Sequence, residues 1–290
     1  MPLLPNVRCG PAGWAYPHWN GIVYPRSPQQ KAAGLELVSR YFDMVEVNRT
    51  FYQPIRPEVA RLWMAQVAAN PRFLFTVKLS RRFTHDRVLD ADHLRAFTAG
   101  LWPLLRARKL GCVLMQFPWT FRFNAENREY FINLRRALRD FPLVAEMRHS
   151  SWTAPEGIGT FIDYHVGFCN IDQTPSPTGM PKMSQLTTRV GYVRLHGRAV
   201  GATAQHLYLY PQAELEEWSR RIGRMAEIAA SLFVVTNNDG GGRAVVNALQ
   251  LAQMLGDDRG MAPPDLLRRY PVALERFASE RPLQRALFAA

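Results

Sequence analysis

The chain has 290 residues, 47% of them hydrophobic and 11% aromatic, which is enough apolar mass for a sizeable core and excludes a disordered protein. No stretch approaches the roughly 20 apolar residues that span a bilayer, and the start, MPLLPNVRCG, lacks the charged, then apolar, pattern of a signal peptide, so a cytoplasmic protein with no membrane partner is expected. The 36 Lys and Arg outnumber 24 Asp and Glu, for a formal charge of +12, so polyanion binding has to be weighed.

In chain order, a short apolar strand is predicted at 7–10 (VRCG), followed by GPAGWAYPHWNGIVYP (10–25), a loop rich in aromatics, glycine and proline. Strands follow at 44–48 (MVEVN), 73–78 (FLFTVK), 112–117 (CVLMQF), 143–148 (LVAEMR), 166–171 (VGFCNI), 192–197 (YVRLHG) and 232–237 (LFVVTN). Between them, apolar residues recur at helical spacing, as at 57–70, 90–110, 127–141 and 213–231. The strands are nearly continuous apolar runs, the mark of a parallel sheet covered on both faces. Eight such alternations in a chain of this length predict a single-domain (β/α)8 TIM-like barrel over 1–290. A doubly wound open sheet is the alternative. The long connections 172–189 and 197–211 are expected to overhang the mouth, and residues 256–290 to pack outside the barrel as a short C-terminal extension. Cys9, Cys112 and Cys169 fall in separate strands, too far apart for a zinc motif, and read as small buried hydrophobes.

The strands share a peculiarity at their C-terminal ends. Residues two apart point to the same face, so Glu46 pairs with Asn48, Thr76 with Lys78, Glu146 with Arg148, Asn170 with Asp172, and Arg194 with His196. Gln116 and Asn237 end their own strands alike. In a barrel those ends converge on one mouth, where sites are built. Buried ion pairs that serve packing alone, such as Glu46 with Lys78 or Glu146 with Arg148 or Arg194, are the plainer reading of each pair taken singly. The concentration of so many at one end points instead to a polar cup. Two loops adjoin it: the aromatic stretch, which covers a ligand or plugs the rim, and NNDGGGRAVVNAL (237–249), whose glycines open a helix near Arg243 and would suit an anion.

The inventory suits an enzyme, a hydrolase or lyase, acting on a small polar anionic substrate such as a sugar or phosphate compound. Lys78, Arg148 and Arg194 would bind the anion; Glu46 or Glu146 would be the general base, with His149 or His196 as acid partner or relay. Asn48, Gln116, Asn237 and Asn238 would orient hydroxyl or carbonyl groups, Asp172 would complete the lining, and Trp14, Tyr52 and Trp152 would wall the pocket. A retaining glycosidase needs two carboxyl groups roughly 5 Å apart, and the fourth and seventh strands end in Gln116 and Arg194 instead. A Schiff-base aldolase needs an activated lysine. Lys78 is the only inward one; its arginine neighbours would lower its pKa, and a carboxylate beside it would raise it again. No cofactor is expected. A divalent metal held by Glu46, Glu146, His149, Asp172 and His196, as in barrel isomerases and phosphodiesterases, is an alternative that three nearby cations oppose. A non-catalytic anion- or nucleic-acid-binding module is another. Against nucleic acid, the arginine pairs at 81–82, 135–136, 220–221 and 268–269 are scattered rather than gathered in one block.

GPAGWAYPHWNGIVYP, VEVNRTFYQ, FTVKLSRRFTH, LMQFP, AEMRHSSW, YVRLHGR and NNDGGGRAVVNAL occur in that order along most of the chain. Together they resemble the YecE-like family, known as domain of unknown function 72. Departures are small: the methionine and serine in AEMRHSSW, and Thr236 before the asparagines. The resemblance implies a TIM-like barrel with these segments at one end. It implies no reaction.

Overall fold

A computed structural model of the chain describes residues 4–26, 34–200 and 203–279. Eight parallel strands run as β1 (Val7–Pro11), β2 (Met44–Val47), β3 (Leu74–Lys78), β4 (Leu110–Gln116), β5 (Leu143–Glu146), β6 (Gly167–Asp172), β7 (Val190–Leu195) and β8 (Ser231–Thr236). Each pairs with its sequence neighbour from β2 to β8, and β8 pairs with β1. The seam between β1 and β2 closes through an Ala12–Glu46 bridge and a 2.8 Å bond from Gly13 N to the Glu46 carbonyl. Glycine is required at the seam, because a Cβ on Gly10 would collide with the Met44 carbonyl. The sheet is a TIM-like barrel, and the open-sheet alternative falls.

The helices are α1 (Gly34–Tyr41), α2 (Pro57–Gln66), α3 (Arg81–Thr84), α4 (Ala91–Arg106), α5 (Ala125–Ala137), α6 (Pro155–Asp163), α7 (Gln212–Ala226), α8 (Arg243–Met254) and α9 (Pro264–Arg269). Their starts follow local chemistry: Asp90 and Asn124 accept N-cap bonds from His93 N and Asn127 N, while α2, α6 and α9 open on proline. The β6–β7 crossover, residues 173–189, contains no helix.

Two apolar layers sit between barrel and helices. The larger carries Trp63, Phe75, Phe97, Leu104, Phe131 and Phe161; the second lies under α7 and α8, with Val193, Leu195, Trp218, Ile222 and Leu251. The three cysteines are buried free thiols. In the C-terminal segment Leu266 and Leu274 join the larger layer, the Tyr270 hydroxyl donates to the Gly241 carbonyl (2.8 Å), and Gln250 donates to the Ala273 carbonyl (3.0 Å). Residues 280–290 of the expected extension lie outside the described residues. Among the described residues no helix is long and apolar enough to cross a membrane.

Candidate functional site

Strand register decides what faces inward. Ile171 on β6 is level with Arg194 on β7, Glu146 on β5 with Gln116 on β4, and Lys78 on β3 with Leu114 on β4. Inside the mouth, Glu46 and Glu146 close on Arg194 from two sides. Arg194 Nε and Nη2 donate to Glu46 Oε2 (2.9 Å) and Oε1 (2.7 Å), a bidentate pair, and Nη1 donates to Glu146 Oε2 (2.6 Å). Tyr192 donates its hydroxyl to Glu46 Oε2 (2.9 Å) and lies 2.8 Å from the Thr76 hydroxyl. Arg148 Nε stands 2.5 Å from Glu146 Oε1, and its Nη1 donates to Gln173 Oε1 (2.8 Å).

Burial by itself would raise the Glu146 carboxyl, but Arg148 and Arg194 hold it well below the usual carboxylate range. Burial likewise works against the Arg194 charge, and Glu146 with Glu46 more than offset it, so that guanidinium is held charged. His196 is pushed down to about 3, by burial first and by Arg148 next, and is neutral. Its Nε2 lies 3.2 Å from Glu146 Oε1, while Nδ1 faces the amide nitrogen of Asn237 at 3.1 Å. The arrangement assigns the proton to Nε2, leaving Nδ1 to accept from Asn237.

Lys78 has a different setting. Its carbonyl accepts from the Thr50 hydroxyl (2.7 Å), which fixes the strand end against the single turn Arg49–Phe51. That turn carries Phe51, and Nζ of Lys78 sits 4.1 Å from the centre of its ring. No ion pair reaches Lys78 among the described residues, since both cup carboxylates are bound to arginine. Burial, then Arg194, lower the ammonium to about 8 against the opposing pull of Glu46 and Glu146. His85 packs edge-on against the same Phe51 ring at 5.0 Å, and burial and Lys78 lower its pKa. Three cations therefore face two carboxylates, a net charge of one positive. Arg194 is sealed at 2% side-chain exposure, but Arg148 keeps 21%. A cleft of about 320 Å³ reaches Arg148 from outside, lined also by Gln116, Gln173, Trp119, Ser176 and Thr178. A larger groove of about 870 Å³, bounded by Pro211, Met254 and Phe277, has none of the cup residues in its lining.

Glu46, Lys78, Gln116, Glu146, Arg148, Arg194, His196 and Asn237 thus gather as expected from the sequence. Asn48 stands at the rim beside Tyr16, and its Oδ1 is buried without a partner among the described residues. Other expectations need correction. On β6 it is Cys169, Ile171 and Gln173 that face inward, so Asn170 and Asp172 point at the helices. Asp172 accepts from Trp218 Nε1 (2.8 Å) and Arg198 Nη2 (3.0 Å), clamping the helix-free crossover to α7. Asn238 also points outward, donating to the Tyr208 carbonyl (2.7 Å) and Asn247 Oδ1 (2.9 Å). His149 turns away to cap the next turn: its Nδ1 accepts from Ser151 N (3.1 Å), and burial with Arg122 lowers its pKa. Trp152 is a core residue, stacked on Phe121 and donating to its carbonyl (2.8 Å). Trp14 packs edge-on against Trp63 of α2, and Tyr52 is 74% exposed.

The aromatic loop is a rim plug. Trp19 is buried and donates to the Asp239 carbonyl (2.8 Å), and Tyr24 donates to the Trp14 carbonyl (2.6 Å). The glycine run at α8 is closed to an anion: a Cβ on Gly242 would press on Leu266, Ile22 and Val23, which cover the helix start. With His149 and Asp172 turned away, the five ligands of the metal alternative do not all converge. No group of three or more His, Cys, Asp or Glu among the described residues could hold a metal. Sequence reasoning missed Tyr192, His85 and Gln173, and read Tyr16 only as one aromatic of the rim loop. His85 lies inside the quoted FTVKLSRRFTH, and Tyr192 is two residues before Arg194, where the period of two could have found it.

Comparison with known proteins agrees with this fold. The family model described as "Protein of unknown function DUF72" matches residues 8–269. UPF0759 protein YunF of Bacillus subtilis is 28% identical over 90% of this chain and 99% of its own length. The solved structure of a DUF72 family protein (TM1631) from Thermotoga maritima superposes with a TM-score of 0.76 at 28% identity, covering 86% of this chain and 98% of that one. Another, EF0366 from Enterococcus faecalis, gives a TM-score of 0.74 at 23% identity over 86% and 95%.

Proposed function

The chain belongs to the DUF72 family, and because that membership names no reaction, we propose from the site itself that the protein binds a small polar anion in the barrel mouth and acts on it as a hydrolase or lyase. The observation that carries this reading is the uncompensated positive charge of the cup. A buried charge without a partner is costly, and an anion placed between Lys78 and Arg148 would neutralise it. Arg148 can present a planar fork to a carboxylate or phosphate, and Gln116, Gln173 and Asn237 supply amides for hydroxyl or carbonyl groups.

Roles follow from accessibility. Glu46 and Glu146 are spent on Arg194, so neither is free to attack a sugar or draw a proton; they position the two guanidinium groups. Lys78, poised near neutral pH, is the group able to exchange a proton with a bound substrate. Arg194 is likewise frame rather than clamp, since all its bonds are internal.

The test is thermal stabilisation by inorganic phosphate, glyoxylate, phosphorylated sugars and nucleotides, on wild type and Arg148→Ala. A true ligand at about 100 times its Kd adds about 2.7 kcal/mol, and Arg148→Ala should lose most of that shift. An equal shift in the variant would refute the anion site.

A further inference from the structure

Resting on that anion reading, we propose that Lys78 is a covalent nucleophile that forms an imine with an aldehyde or ketone carrying a carboxylate or phosphate, which makes the protein a carbonyl-acting lyase rather than a hydrolase. Three observations point to this. First, Lys78 ends β3 inside the mouth and has no carboxylate partner among the described residues, because Arg194 and Arg148 occupy both nearby acids. Second, its Nζ is packed against the Phe51 ring, and burial with the nearby Arg194 outweighs the pull of that ring on the ammonium and favours loss of the proton. Third, Arg148 stands at the same mouth with its Nη1 on Gln173 and partial exposure, placed to hold the anionic end of a compound whose carbonyl meets the amine.

The chemistry balances. The ammonium gives up one proton, and the free amine attacks the carbonyl carbon, forming a C–N bond while the C=O π pair moves to oxygen. A proton passes from nitrogen to that oxygen, giving a carbinolamine. The C–O bond then breaks, the oxygen leaves as water with the returned proton, and the nitrogen lone pair closes a protonated C=N bond. An ammonium and a carbonyl compound become an iminium and water. A pKa of about 8 leaves roughly a quarter of the amine free at pH 7.5, against about 0.1% for an ordinary lysine.

The experiment treats the full chain with glyoxylate or with neutral propanal, plus cyanoborohydride, and locates adducts by peptide mass mapping. Lys78 should be alkylated at least about tenfold faster than Lys109, which donates to the Pro71 and Phe73 carbonyls, or Lys182, which is ion-paired with Glu217. Glyoxylate should outpace propanal, phosphate should slow it, and the rate should reach half its maximum near pH 8. Lys78→Arg keeps the charge but removes the primary amine and should give no adduct at this position. Adducts shared evenly among the lysines, or equal rates for the two aldehydes, would overturn the proposal. If anions stabilise the wild type yet Lys78 is not selectively alkylated, the imine fails and the anion site stands. If neither occurs, both fail.

Discussion

Replacing Arg194 with methionine removes the guanidinium while leaving most of its apolar bulk, and it isolates the worth of the buried charge frame. Glu146 keeps Arg148 and His196. Among the described residues Glu46 keeps only the Tyr192 hydroxyl, so the loss concentrates there. At about 4 Å between charge centres and an effective dielectric near 20, the Glu46 pair is worth about 4 kcal/mol. The variant should lie about 3–4 kcal/mol below wild type at pH 7.5, in the range for a broken buried pair. Denaturant unfolding followed by far-ultraviolet circular dichroism measures this. Adding Glu46→Gln should restore most of the loss. A deficit under about 1 kcal/mol at pH 7.5 would refute the reasoning.

His196 is held neutral with its pKa at about 3, below the unfolded value near 6.5, so its stabilising contribution is complete above pH 6.5 and is lost as pH falls. Between pH 6.5 and 5 this group should cost up to about 1.4 kcal/mol per pH unit, and denaturation midpoints should show His196→Gln lacking that slope; identical slopes would remove the assignment. Trp152→Ala should lower stability by about 3–5 kcal/mol without abolishing the phosphate-induced melting shift, whereas loss of the shift would return Trp152 to the site. Asp172→Asn should destabilise by about 1–3 kcal/mol and speed limited proteolysis within 173–189, since Asp172 ties that crossover to Trp218 and Arg198. Unchanged cleavage there would mean the clamp is held by other contacts.

The barrel was legible in the sequence because its cause is local. Apolar runs such as CVLMQF and VGFCNI can only be strands covered on both faces, and amphipathic segments between them can only be the covering helices. The strand ends also showed which residues share a face, since covalent geometry sets the period of two. Which face that is depends on the register between strands, and a shift of one residue exchanges inside for outside. Hence Asn170 and Asp172, read as lining the cup, face α7, and Gln173 one residue later enters the site. Tertiary structure alone could also show that Glu46 and Glu146, a hundred residues apart, meet on Arg194 and leave Lys78 without an acid. That outcome turns on distances of a few ångströms across the barrel, and nothing in the chemistry of neighbouring residues along the chain encodes them.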